Sequence, residues 1–150
     1  MPEVFEHRHV VTLEETNQLG NVYFAHFLRW QGQARELFLR RMAPEVLAGL
    51  DEEHALVTTH VSCTYLAELV AFDEIAVRMR VGRVMQNRMS LRFEYWRLRG
   101  GEEELVARGE QEVAWLRREA AELVPVPVPP TLLHAIDAYL SEPVRTAWRS

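Results

Sequence analysis

The spacing of apolar positions changes twice along the chain, and each change predicts a different element. Residues 4–13, V-F-E-H-R-H-V-V-T-L, read as a first strand entering a turn over 14–21. From 22 to 42, Phe24, Phe27, Leu28, Phe38 and Met42 recur at three- and four-residue steps, which predicts one long helix, and Pro44 marks its end. After a loop at 43–53 the period falls to two. Val57, Thr59, Val61, Cys63 and Tyr65 alternate along one strand, and Ile75, Val77, Met79 and Val81 along the next, with Arg78 and Arg80 on its other face. Met89, Leu91, Phe93 and Tyr95 make a third run against Arg92 and Glu94, and Leu105, Ala107, Val113 and Trp115 a fourth. The breaks around A-F-D-E, M-Q-N-R and R-G-G-E are short and turn-like. Such links favour antiparallel neighbours, because a parallel crossover takes about a dozen residues or more.

The tail V-P-V-P-V-P-P can form neither a helix nor a central strand and is expected to run extended over the surface. T-L-L-H-A-I-D-A-Y-L then closes as a short amphipathic helix. No repeat or domain boundary intervenes. Residues 1–150 read as a single α+β domain: a curved, mainly antiparallel five-stranded sheet wraps a long central helix, with a Pro-rich extension and short helix over 124–141.

Composition removes several functions. With 150 residues and 48% of them hydrophobic, the chain can build one proper core. A net charge of −5, with no basic cluster clear of acids, argues against nucleic acid as a partner. All 17 basic residues are arginine, so no side-chain Schiff base can form. The lone Cys63 rules out an internal disulfide framework and leaves no zinc-type cluster. His7 and His9 share a strand face, but two ligands without a third do not make a metal site. The N-terminus lacks a signal peptide's apolar core, and no apolar run is long enough to span a bilayer. The expectation is a soluble, cytoplasmic protein with no membrane partner, metal or cofactor.

Candidate chemistry lies in two places. On a helical wheel with Phe24 at the origin, Arg35 falls at about 20° and Gln31 at about 340°, inside the apolar stripe. A guanidinium facing a sheet is costly unless it snorkels out, pairs with a carboxylate or opens onto a wet pocket. On the same wheel Glu36 falls on the solvated side near Arg40, while Trp30 and Leu37 face a neighbour or the C-terminal segment. The second place is the turn E-T-N-Q-L-G-N-V-Y-F. Thr16 or Asn17 could cap the helix, and the N–H groups of Gly20, Asn21, Val22 and Tyr23 would then face outward, able to hold an oxyanion. An amide at 17 cannot serve as a base. No G-x-S-x-G elbow or Gly-rich phosphate loop is present, and Ser62, Cys63 and His60 sit mid-strand with His60 on the face away from Cys63.

The run E-E-T-N-Q-L-G-N-V-Y-F-A-H-F-L-R-W-Q-G-Q-A-R-E-L-F-L resembles the first half of hotdog-fold thioesterases of the 4-hydroxybenzoyl-CoA type, and the strand order after it agrees over nearly the whole chain. Many relatives carry an acid three residues before the glycine, where this chain has Asn17. T-N-x-x-G-N-V-Y with L-R-W-Q-G-x-x-R-E is more similar to thioesterases associated with enediyne polyketide synthases. That resemblance implies a single hotdog domain and release of a polyene β-keto or β-hydroxy chain from an acyl carrier protein, without a catalytic carboxylate. A released β-keto acid can then lose carbon dioxide to give a methyl ketone. The resemblance also implies a homo-oligomer, a tetramer built as a dimer of hotdog dimers, with active sites between subunits. Asn17 and Arg35 match the acting positions. Phe24, Phe27, Gln31 and Thr59 are expected to line the pocket, with Tyr23 a further positioning residue. A general acyl-CoA thioesterase is the alternative enzyme, and an acyl-binding accessory protein the alternative of another class.

Overall fold

The computed structural model describes residues 3–50 and 53–140; the end of the predicted extension, at 141, lies outside them. The elements in order are β1 (Phe5–Val10), α1 (Ala25–Met42), α2 (Pro44–Ala48), β2 (His54–Tyr65), β3 (Glu74–Met85), β4 (Arg88–Arg99), β5 (Glu102–Glu119), β6 (Glu122–Pro125) and α3 (Pro130–Ile136). The sheet runs β1-β3-β4-β5-β2, with β6 added as a short hairpin partner of β5. All these pairings are antiparallel. The five predicted strands form the main path, curved around α1 as a hotdog domain.

Period-two alternation places the core. Ile75, Val77, Met79 and Val81 of β3, and Met89, Leu91, Phe93 and Tyr95 of β4, are all buried against α1. The helix supplies Phe27, Trp30, Ala34, Phe38 and Leu39 from its own buried face. That face centres at roughly 310° on the wheel drawn from Phe24. Phe24 itself precedes the helix and is 56% exposed, so it was a poor origin. Trp30, expected to pack on a neighbour or on the C-terminal segment, is fully buried within the chain and packs its ring on Phe27 and Tyr95.

Three further expectations change. The loop at 43–53 holds α2, which Pro44 opens as its first residue, where a missing N–H costs nothing. β2 pairs with β5 and not with its sequence neighbour β3, so the link from Leu66 to Asp73 crosses from one edge of the sheet toward the other. The extended tail exposes Pro125 and Pro127 but buries Val128 in the core, and α3 seats Leu132 and Ile136 there as well. Beyond α3, Tyr139 meets the ring of Phe38 edge-on, with centroids 5.2 Å apart. No helix among the described residues is long and apolar enough to cross a membrane.

Candidate active site

The turn before α1 is built from its own polar groups. Asn17 accepts the N–H of Leu19 on Oδ1 at 2.9 Å, and its backbone carbonyl accepts the N–H of Gly20 at 3.0 Å. Gly20 closes the turn at φ +89°, a conformation side chains resist. Asn17 does not cap the helix, which starts at Ala25 with Phe24 as its uncapped flank. Because the carbonyl end of the Asn17 amide is spent within the turn, its exposed NH2 end is the group left to act.

The expected oxyanion donors at Gly20–Tyr23 fall outside the helix start, and most are occupied. Gly20 N–H donates to Asn17, Val22 N–H to Leu69 at 2.8 Å, and Tyr23 N–H to Glu15 at 3.1 Å. Asn21 donates from its side chain to Glu68, and its Oδ1 is buried without a partner among the described residues. The bonds of Val22 to Leu69 and the bridge of Asn21 to Val70 tie this turn to the β2–β3 crossover. At the first turn of α1, His26 and Phe27 make i→i−3 bonds, whereas the amides of Phe24 and Ala25 have no backbone partner among the described residues. Those two amides are the ones left open at the helix start.

One carboxylate anchors the turn, and sequence reasoning passed over it. Glu15 accepts Trp30 Nε1–H at 2.8 Å and Thr12 N–H at 2.9 Å, and its Oε1 lies 2.8 Å from His9 Nε2. Burial pushes its carboxyl up, but the Thr12, His9 and Trp30 donors outweigh that and hold it below the usual glutamate value. The T-L-E-E spacing, a threonine with glutamate three residues on, is the signal that could have found it.

Arg35 does face the sheet. Its Nη1 donates to Gln111 Oε1 at 2.8 Å and to Thr58 Oγ1 at 3.0 Å. Its Nε is buried and meets no acceptor among the described residues. Burial pulls this guanidinium below the ordinary arginine value, with the charge of Glu36 opposing. Gln31 is fully buried; it donates to the Ser62 carbonyl at 3.0 Å and accepts from Gln111 Nε2 at 3.3 Å. Arg35 also lines a cavity of about 600 Å³ with Leu37, Leu47, Leu50 and Leu56.

The remaining predicted pocket residues do not converge there. Phe27 is core, packed edge-on against Tyr65 and Tyr95. Phe24 stands exposed beside Tyr23, ring centroids 4.5 Å apart, at the other end of the helix. Thr59 points away from Arg35 and donates to Glu112 at 2.7 Å. A bulge between Thr58 and His60 reverses the alternation, so Thr58 takes the inward place assigned to Thr59.

Nor are Asn17 and Arg35 together within one chain. Arg35 lies ten residues beyond the start of α1, about 15 Å along its axis. The sheet agrees: Tyr65 donates to the Phe24 carbonyl at the helix start, whereas Thr58 holds Arg35, roughly 20 Å away along β2.

A family model for the thioesterase-like superfamily matches residues 11–136. Among solved structures, the dynemicin thioesterase, whose crystal structures reveal induced-fit and allosteric effects upon polyene binding, is 45% identical; the match covers 94% of this chain and 100% of that one, with a TM-score of 0.89. A 1,4-dihydroxy-2-naphthoyl-CoA thioesterase from Synechocystis matches at 22% identity over 90% of this chain and 96% of that one, TM-score 0.76. A mutant 4-hydroxybenzoyl-CoA thioesterase complexed with 4-hydroxybenzoyl-CoA matches at 13% identity over 89% and 98%, TM-score 0.79. The last two likenesses are likenesses of fold. No match was found among curated protein sequences.

Proposed function

Since the chain belongs to the thioesterase-like superfamily and is a hotdog-fold thioester hydrolase, we propose that its substrate is a polyene β-keto or β-hydroxy acyl thioester carried on the acyl carrier protein of an iterative enediyne polyketide synthase. The observation that carries this reading is the 45% identity, over 94% of the chain, to a thioesterase whose structures concern polyene binding. A β-keto product can then lose carbon dioxide to give a methyl ketone. The whole chain, 1–150, is read as one such domain.

Asn17 and Arg35 are proposed to meet the substrate together, from different subunits. Their separation within one chain supports this, and so does β2, a twelve-residue strand that stands at the edge of the sheet among the described residues. A two-fold axis between antiparallel β2 strands sets the Thr58 end of one copy beside the Tyr65 end of the other. Arg35 of one subunit then approaches the Asn17 turn of its partner. Pairs of such dimers give the tetramer.

The chemistry needs no carboxylate base. Water attacks the thioester carbonyl carbon, the C–S bond breaks, and the proton lost by water goes to the departing thiolate. Glu15 is engaged by Trp30, Thr12 and His9 and is not free to act as base. Asn17 Nδ2–H and the Phe24 and Ala25 amides donate to the carbonyl oxygen as charge develops there, while Arg35 supplies a positive charge beside it. The leucines of the Arg35 cavity offer an apolar wall for the chain.

The test is release of product from a polyene-loaded carrier protein, followed by mass spectrometry. Arg35→Ala and Asn17→Ala are each expected to slow release by about 100-fold or more while the oligomer stays folded. Unchanged release in both variants would remove these residues from the site. Equal hydrolysis of acyl-CoA, with no preference for the carrier, would replace the proposed substrate with a general acyl-CoA.

A further inference from the structure

Several arginines on the sheet are paired with carboxylates: Arg78 with Glu6 and Glu103, Arg80 with Glu94, Arg88 with Glu112, and Arg97 with Asp73 and Glu104. Arg35 is held differently. Among the described residues its two hydrogen-bond partners are both neutral, the Gln111 amide and the Thr58 hydroxyl. Behind Gln111 the bonds continue from Gln111 Nε2–H to Gln31 Oε1, and from Gln31 Nε2–H to the Ser62 carbonyl. The polarity of this chain is forced from one end. A guanidinium only donates, so Gln111 must turn its oxygen to Arg35 and its NH2 to Gln31. Gln31 must then accept on its oxygen and donate onward to the backbone of β2.

Both amides are buried, Gln31 fully and Gln111 to 3% exposure, and neither earns its place as a packing residue. A third position is fitted to them. A Cβ added at Gly109, two residues before Gln111 on β5, would lie 2.1 Å from Gln31 Nε2 and 3.1 Å from the Ser62 carbonyl oxygen. The glycine leaves the space in which the Gln31 amide meets β2. Three polar or small residues at inward-facing positions thus serve one end, which is to fix a guanidinium without cancelling its charge.

We infer that Gln111, oriented by Gln31 through the gap at Gly109, is a positioning residue that presents Arg35 to the substrate as a cation held by neutral hydrogen-bond partners. The inference rests on the reading that Arg35 meets the substrate. A carboxylate at position 111 would hold Arg35 in place but cancel its charge; an apolar residue would leave the charge and release the side chain. The two substitutions therefore fail for different reasons.

Four variants, with Arg35→Ala as the reference, and two readouts test this. One readout is kcat and KM for release from the loaded carrier protein. The other, independent of activity, is the NMR signal of the Arg35 Nε–H, identified by its loss in Arg35→Ala. In Gln111→Glu the signal is expected to stay sharp, while kcat falls about 100-fold with KM changed less than about threefold, because the electrostatic term is lost from a preserved geometry. In Gln111→Leu the signal is expected to broaden or shift and kcat to fall by a similar factor, since about 1 Å of misplacement suffices. Gly109→Ala is expected to behave as Gln111→Leu does, and adding Gln31→Ala to it should cause little further loss. A normal signal and normal kcat in Gln111→Leu would overturn the inference, as would full kcat in Gln111→Glu. If Arg35→Ala itself left release unchanged, the role of Arg35 in the proposed function would fall; a normal Nε–H signal in Gln111→Leu would separately refute the relay.

Discussion

Glu15→Ala should be the most informative substitution away from the proposed chemistry, because three elements close on that carboxylate. His9 reaches it from β1, Thr12 from the turn, and Trp30 from α1. Its side chain is only 12% exposed and Trp30 is fully buried, so water cannot replace the lost acceptor at the indole N–H. Hydrogen bonds to a charged group contribute about 1.5–3 kcal/mol, and a buried donor left unsatisfied costs about 1–3 kcal/mol. The sum is not additive across donors that share one carboxylate, so the expected destabilisation is about 2–3 kcal/mol. With a urea dependence of about 1–3 kcal/mol per molar, the unfolding midpoint should fall by roughly 1–2 M at fixed protein concentration. Trp30→Phe keeps most of the ring and deletes the donor. A cycle of Glu15→Ala, Trp30→Phe and the double variant, followed by far-ultraviolet circular dichroism, should return a coupling of about 1–2 kcal/mol. A coupling below about 0.5 kcal/mol, the scatter of unrelated sites, would refute Glu15 as the anchor of the turn.

The other predictions concern titration, the turn and the thiol. Glu15 has its folded carboxyl held below the usual glutamate value, so its stabilisation is full above that usual value and is lost as pH falls through the lowered folded one. Acid unfolding of Glu15→Gln should accordingly show a shallower loss of stability below about pH 4.5 than the parent chain, and identical slopes would contradict this. Asn17→Asp keeps the acceptor for Leu19 N–H but removes the free NH2, so the fold should be unchanged while release slows by about 100-fold; faster release would show that this chemistry wants an acid. Burial pushes the half-buried Cys63 thiol up to about 11, and at pH 8 it should react with a thiol reagent on the order of 100-fold more slowly than free cysteine, which an equal rate would disprove.

How far the sequence reaches is clearest at particular residues. β3 and β4 were legible because strict alternation of large apolar residues with Arg and Glu leaves one orientation that buries them. Arg35 was legible for the same reason, as a charge on the buried side of a long helix. Its partners were not, because Gln111 and Gly109 interrupt the apolar run of β5 between Ala107 and Val113. They fall at inward positions of that alternation, and a polar residue there was the overlooked signal. Thr59 was misplaced because one extra residue in a bulge reverses every assignment on its N-terminal side, and nothing in T-T-H announces it. The helix start was set too early because Val22 and Tyr23 fit an apolar helical period, whereas their amides are claimed by carbonyls from Leu69 and Glu15. Contacts made through distant backbone leave no local trace in the chain.

The central claim, a base-free site shared between subunits, is tested most directly by mixing two defective proteins. Arg35→Ala and Asn17→Ala chains, unfolded and refolded together in equal amounts, should form hybrid dimers in which one of the two sites has both original residues. Random pairing makes half the dimers hybrids, so release from polyene-loaded carrier protein should recover to about a quarter of the parent rate. Recovery no greater than the average of the two separate variants would place Asn17 and Arg35 in no shared site and contradict the account.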